Sequence, residues 1–322
     1  MLAAGAWGAA TCGAIVSRPR PLLVLAAVSS LVVPPPAGAF TYGNIVVTRG
    51  SDIVEYRPDG FAVGVLPVPF PPGARGPEDP LGGIMFDSEA RLAIFNGATH
   101  PWLSVYDATT GTWTHTSWSG WSTLTDLGMA GLVTAGHDVF VTDFGTASGP
   151  ERGIVGFDGD AGYAGERFGS VFDTADLAIG PDGRIHALLA FSSQVYIYHP
   201  VTKEDAGSAG LEGSVAGIVV RADGAYYGVS GDGNIRRFSA EGVSIDTLKT
   251  GIPGLADVAI GPGGALVVGS VMGEVVLADG ALSSATTFLV GGGPASVAWV
   301  PLHASTPAEK NTWGRIKARY RH

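Results

Sequence analysis

One short pattern recurs along this chain and limits what it can fold into. A run of β-prone residues closes on a large apolar side chain, and a turn follows at once. It reads DIVEY at 52–56, WLSVY at 102–106, GIVGF at 153–157, QVYIY at 194–198, NIRRF at 234–238 and EVVL at 274–277. The closing residues are Tyr56, Tyr106, Phe157, Tyr198, Phe238 and Leu277, spaced 50, 51, 41, 40 and 39 residues apart. The turns that follow, such as RPDG at 57–60, DATTG at 107–111 and SAEG at 239–242, use residues that reverse a chain through local hydrogen bonds or positive φ.

Two further ladders keep step with the first. One reads GGIMF at 82–86, AGLVT at 130–134, ADLAI at 175–179, AGIVV at 216–220, ADVAI at 256–260 and ASVAW at 295–299. The other reads NIVVT at 44–48, LAIFN at 92–96, VFVTD at 139–143, IHALL at 185–189, AYYGV at 225–229 and ALVVG at 265–269. A more polar fourth strand, as in TWTHTSW at 112–118, completes the unit. Residues 254–292 show it whole, with strands at Asp257–Ile260, Ala265–Gly269, Glu274–Leu277 and Thr286–Val290.

Four short strands repeating every 40–50 residues mark a β-propeller. One such sheet cannot bury both faces alone, but blades stacked round an axis bury them against each other. The chain opens on a second strand and ends on a first-strand copy, ASVAW, so the two complete one blade and remove the free edges. The sequence therefore predicts an all-β fold: a six-bladed β-propeller with four-stranded antiparallel blades, its ring closed by joining N- and C-terminal segments in one blade. With 49 glycines and 15% charged residues, the composition suits many tight turns and buried strands.

The propeller is expected to occupy residues 40–302. Residues 1–39 read as a secretory signal peptide: Arg18 and Arg20 precede an apolar run from Leu22 to Val33, and Ala37-Gly38-Ala39 offers a cleavage site before Phe40. That run is shorter than the roughly 20 residues a membrane span needs, so no transmembrane span is expected in the mature chain. Cys12 is the single cysteine and falls within the leader, which excludes disulfides and cysteine-ligated metals from the mature protein. The expected address is secreted or periplasmic. Residues 303–322 form a basic tail in which Trp313, Ile316 and Tyr320 stand at helical spacing, suited to a membrane surface, a partner or a sorting factor.

The charge is divided unevenly. Residues 40–302 carry 12 Lys+Arg against 28 Asp+Glu, a net −16, while the tail carries five basic residues and one acid, a net +4. An acidic body has no face with which to neutralise phosphates, so a nucleic-acid partner is not expected.

The segments VFVTDFG (139–145), RGIVGFDGDAG (152–162), DLAIGPDGRIHAL (176–188) and NIVVTRGSDIVEYRPDG (44–60) resemble degenerate NHL repeats and blades of the SMP-30/gluconolactonase-like six-bladed propellers. The resemblance covers about residues 41–300. It implies the propeller architecture and leaves activity open, because that superfamily includes binding modules, lyases and lactonases. SMP-30-like lactonases use a metal held by acidic and amide side chains. Here several ring positions are glycine, and no glutamate starts a first strand where that family would place one.

Function in a propeller usually gathers at one mouth of the central channel, where first strands begin and second strands end. Those positions, with their loops, supply the candidate ligand-binding residues Asn96, His100, Asp143, Asp176 and Asp257. Asn96, Asp143, Asp176 and Asp257 are also the candidate metal ligands, oxygen donors of the type that Ca²⁺ takes. The alternative is that these side chains cap strand-end turns. No catalytic residue is assigned: there is no G-x-S-x-G elbow, P-loop or H-x-x-x-H pair. Trp102, Trp113, Trp118 and Trp121 cluster in the second blade, either to stack on a sugar or partner or to pack between blades.

Two function classes follow. One is a monomeric exported binding or scaffold module, with a protein, small-molecule or carbohydrate ligand. The other is a Ca²⁺-dependent lactonase-like hydrolase or lyase at the channel mouth.

Overall fold

The structure is a computed structural model. It describes residues 40–69, 81–96, 101–119, 131–143, 153–169, 174–190 and 192–302. The expected leader, the proline-rich segment 70–80, His100, Trp121 and the basic tail lie outside the described residues.

The chain is an all-β, six-bladed propeller of four-stranded antiparallel sheets. From the axis outward, blade 1 comprises Val297–Trp299, Ile45–Arg49, Asp52–Tyr56 and Ala62–Pro67. Blade 2 comprises Ile84–Phe86, Leu92–Asn96, Trp102–Asp107 and Thr112–Ser117. Blade 3 comprises Leu132–Ala135, Asp138–Asp143, Gly153–Asp158 and Ala164–Phe168. Blade 4 comprises Thr174–Ile179, Ile185–Leu189, Gln194–Tyr198 and Asp205–Gly210. Blade 5 comprises Gly217–Val220, Tyr226–Val229, Asn234–Phe238 and Ser244–Lys249. Blade 6 comprises Leu255–Ile260, Leu266–Ser270, Glu274–Ala278 and Ala285–Leu289. The helical content of the described residues is a single 3₁₀ turn at Pro262–Gly264, and no described helix is long and apolar enough to cross a membrane.

Ring closure follows the expected scheme. Val297–Trp299 pairs antiparallel with Ile45–Arg49, matching Ile45 to Trp299 and Val47 to Val297. Beyond the strand, the Gly43 N–H donates to the Val300 carbonyl at 3.2 Å and the Val300 N–H to the Asn44 carbonyl at 2.9 Å. The first and last strands of the propeller therefore share one sheet.

Consecutive strand residues are buried because each blade has a neighbour on both faces. Side chains alternate across a strand, so Ile45 and Val47 join blade 6 residues such as Val267 and Val275, while Val46 joins Leu92 and Ile94 of blade 2. The same arrangement repeats round the ring, giving an apolar layer at each blade junction. The closing aromatics of the third strands sit in these layers. Tyr56 packs on Phe288 of blade 6, with ring centroids 5.1 Å apart, and Tyr198 packs edge-on to Phe168 of blade 3 at 6.0 Å.

Blade 6 departs from the sequence ladder by one residue. The closing residue of each third strand pairs with the start of the second strand, as in Tyr56 with Ile45 and Phe238 with Tyr226. In blade 6 the partner of Leu266 is Ala278. Ala278, not Leu277, thus holds the place of the aromatic, and the spacing from Phe238 becomes 40. The small side chain leaves room that Leu282, from the following turn, shares in the same buried layer. A strand that slips by one residue turns its side chains to the opposite face. Leu277 accordingly faces the junction with blade 1.

Phe238 is fully buried at the junction of blades 4 and 5. Replacing it with alanine leaves a cavity in that packing layer. Phe238→Ala is expected to lower unfolding stability by about 3–5 kcal/mol, read as a shift of the urea midpoint at unchanged slope.

Candidate functional site at the channel mouth

Around the axis, each inner strand touches the inner strand of the next blade. Near the start of these strands the ring residues are Gly83, Gly131, Asp176, Gly217, Asp257 and Ser296. Their chemistry decides how neighbouring strands meet.

Glycine permits direct backbone contact. A Cβ on Gly131 would lie 2.5 Å from the Asp176 Cα, and one on Gly217 would lie 2.3 Å from the Ala256 carbonyl oxygen. No larger residue fits without moving a strand. Aspartate instead reaches over to the next blade. The Asp176 carboxylate accepts the Ile218 N–H of blade 5 at 2.7 Å and the N–H of Leu177 at 2.8 Å. Asp257 of blade 6 does the same for blade 1, accepting the Val297 N–H at 2.7 Å, and it also accepts a hydrogen bond from Val258. Ser296 completes the ring through its backbone: its N–H donates to the Thr48 Oγ1 at 2.8 Å, while the Thr48 N–H donates to the Ser296 carbonyl at 3.0 Å. The pair Gly131–Thr142 repeats this bond at 3.0 Å in blade 3. The signal for these clamps in the sequence is Gly217 and Ser296, small residues just before the amides that the aspartates reach.

The charge on Asp257 also acts on Asp176. Burial pushes the Asp176 carboxyl well above the usual carboxylate range, and the charge on Asp257 raises it further. Burial likewise pushes Asp257 up to about 6, against the opposing pull of its hydrogen bonds from Val297 and Val258. Both aspartates stand at ring positions on the inner strands, Asp176 in blade 4 and Asp257 in blade 6.

Asp143 is engaged differently. Asp143 ends the second strand of blade 3, is wholly buried, and forms an ion pair with Arg167 of the outer strand. Asp143 faces Gly153 and Val155 faces Arg167 in the ladder. Side chains two residues apart share a face, so Arg167 reaches Asp143 diagonally across a glycine that has no side chain to block it. The sequence reading missed Arg167 because its link to Asp143 depends on that register. Asn96 ends the second strand of blade 2, opposite Trp102. Its side chain, like His100, lies outside the described residues. Among the described residues, no group of three or more His, Cys, Asp or Glu side chains is arranged to hold a metal ion.

Several polar residues near this end organise turns. The Ser270 hydroxyl accepts the N–H groups of Met272 and Glu274 at 3.1 and 3.0 Å. Ser230 bonds Asp232, which in turn accepts from the Asn234 side chain at 2.7 Å. At the opposite end, Asp158 of the FDGDAG segment accepts the N–H groups of Asp160 and Ala161 at 2.9 and 3.1 Å, forming an Asx-type turn. His186 is buried in blade 4, hydrogen-bonds the Tyr226 hydroxyl of blade 5 at 2.9 Å, and is pushed down by burial.

The tryptophans divide between buried and junction positions. Trp102 is buried, and Trp113 lies against Tyr106 at 4.9 Å and stacks on His115 at 5.9 Å. Trp118 crosses to blade 3, where Arg167 lies 5.1 Å over its ring and Gly165 leaves space for the indole. Trp118 thus bridges blades 2 and 3.

No protein-family model matches the sequence, and no curated protein matches it. Solved structures do share the fold. A chain of a nidogen/laminin complex aligns with a TM-score of 0.59 at 13% identity, covering 80% of this chain and 99% of that one. A streptogramin B lyase aligns at 0.52 and 12% identity, covering 80% and 85% of the two chains. Virginiamycin B lyase from Staphylococcus aureus aligns at 0.51 and 12% identity, covering 75% and 78%. At such identities the likeness establishes the propeller and nothing about activity.

The raised carboxyls dictate a direction of pH dependence. The folded Asp257 holds its proton more tightly than an ordinary aspartate of 3.8. Its contribution to stability is fully present below about pH 4 and is lost as the pH rises through about 6. Asp257→Asn keeps an acceptor for the Val297 N–H and removes the charge. The difference in melting temperature, variant minus parent, is expected to be more positive at pH 7 than at pH 4. An equal difference at both values would contradict a strained carboxylate at this position.

Proposed function

We propose that this protein is an exported binding or scaffold module that works through the loops of its channel mouth, with a fold related to the NHL and SMP-30-like propellers. The supporting observation is the one-sided distribution of connection length. The connections spanning 68–83, 118–131 and 144–152 all join strands whose ends lie at the mouth. At the opposite end the strands are joined by short turns such as 57–61, 136–137, 180–184 and 239–243. Long loops on a rigid scaffold are where recognition surfaces are built. The conspicuous acids near the mouth already serve the framework: Asp143 holds Arg167, and Asp176 and Asp257 hold the next blade.

Two measurements test this reading. Mass analysis of the mature chain is expected to show an N-terminus at Phe40, as cleavage after Ala39 requires. Affinity capture from the extracytoplasmic fraction is expected to lose its specific partners when 144–152 is replaced by a short Gly-Ser turn, and to keep them when the turn 239–243 is replaced. Equal loss from both replacements would contradict a binding surface at the mouth.

A second reading is favoured by the charge of Asp257 acting on the buried Asp176 carboxyl. A Ca²⁺ ion between them would relieve it and provide the metal of a lactonase-like hydrolase or lyase. Millimolar Ca²⁺ should then raise the melting temperature by mass action, and Asp257→Asn should abolish the rise. No rise in the parent protein rejects the metal site.

A further inference from the structure

A cleft of about 230 Å³ opens between blades 3 and 4, at the end of the propeller opposite the ring aspartates. It lies below the roughly 300–1,000 Å³ of small-molecule sites and suits a single long side chain better. Phe140 forms part of its floor, and Gly156 on the adjacent strand has no side chain to cover that ring. The carboxylates of Asp138, Asp158, Asp160 and Glu166 stand round it: Asp138 and Asp158 accept backbone amides, Asp160 lies 3.2 Å from His137, and Lys203, the cation among the lining residues, pairs with Glu166. An apolar floor under a net negative rim fits the hydrocarbon stem and cationic head of lysine or arginine.

The chain carries such side chains on a tethered segment. Residues 303–322 include Lys310, Arg315, Lys317, Arg319 and Arg321 against the one acid Glu309, whereas the body they follow is net −16. The last described strand, Val297–Trp299, runs from the mouth toward the same end of the propeller as the cleft, as does every inner strand. The segment after Leu302 therefore leaves on the cleft side. Fully extended it reaches roughly 65 Å, against a radius of gyration of roughly 18 Å for a compact domain of the propeller's length. Tethering holds its basic residues near the cleft at high effective concentration.

We propose that the cleft between blades 3 and 4 receives a basic side chain of this chain's own C-terminal segment, residues 303–322. Lys203 competes for the same rim by holding Glu166.

The test uses the full chain and a labelled synthetic peptide of residues 303–322. In the parent protein the tethered segment already fills the cleft, so added peptide binds weakly. In a full-length variant with Lys310, Arg315, Lys317, Arg319 and Arg321 changed to glutamine, the cleft is empty and the peptide is expected to bind saturably at low ionic strength. Adding Asp160→Asn and Glu166→Gln to that variant is expected to weaken binding by about tenfold or more, from loss of charge-assisted hydrogen bonds. Adding Lys203→Gln instead is expected to tighten it severalfold. Circular dichroism melts establish that each variant is folded, and if the double acid variant is not, the Lys203→Gln result decides. Absence of saturable binding, an affinity that neither change moves, or equal binding to the parent overturns the proposal. So does a concentration-dependent dimer of the parent, which would place the segment on a second copy.

Discussion

Everything in this structure depends on the contact between neighbouring inner strands at the axis. Six strands converging there leave little space, and the backbone polar groups at the ring need partners. Glycine at 131 and 217 answers the first demand, because any Cβ would collide with the next blade. Aspartate at 176 and 257 answers the second, offering carboxylate oxygens to the Ile218 and Val297 amides. Buried amides left without acceptors are costly, so these side chains are part of the ring that aligns the blades. The outer layers of valine, leucine and aromatic side chains then pack in register with it.

That structural duty has an electrostatic consequence. Carboxylates buried at the ring resist ionisation, and the charge on Asp257 raises the cost of charging Asp176. Elsewhere the acids are relieved in ordinary ways: Asp143 by Arg167, Asp158 by turn amides, and Asp279 by the hydroxyls of Ser283 and Ser284.

The two ends of the propeller carry different chemistry. The mouth joins its strands with the long connections of blades 1 to 3, and its fixed acids are engaged with the framework. The opposite end has short turns and a small acidic cleft between blades 3 and 4. The division arises because strand direction fixes the end at which each connection emerges.

The architecture was legible in the sequence because a propeller is a local pattern repeated. Each blade announces itself through strand length, apolar runs and turn residues, and even the closure of the ring follows from which strand type stands first and last. The one-residue shift at Ala278 was not legible, because both Leu277 and Ala278 suit a strand and only pairing with Leu266 chooses between them. The candidate acids were legible as residue types at strand ends. What each acid does was decided only by tertiary structure. Asp143 meets Arg167 across a glycine in a sheet, and Asp176 and Asp257 meet amides on other blades about forty residues away in sequence. Periodicity and turn chemistry act along the chain and can be read from it. Partnership between side chains acts through space and exists only once the blades have closed.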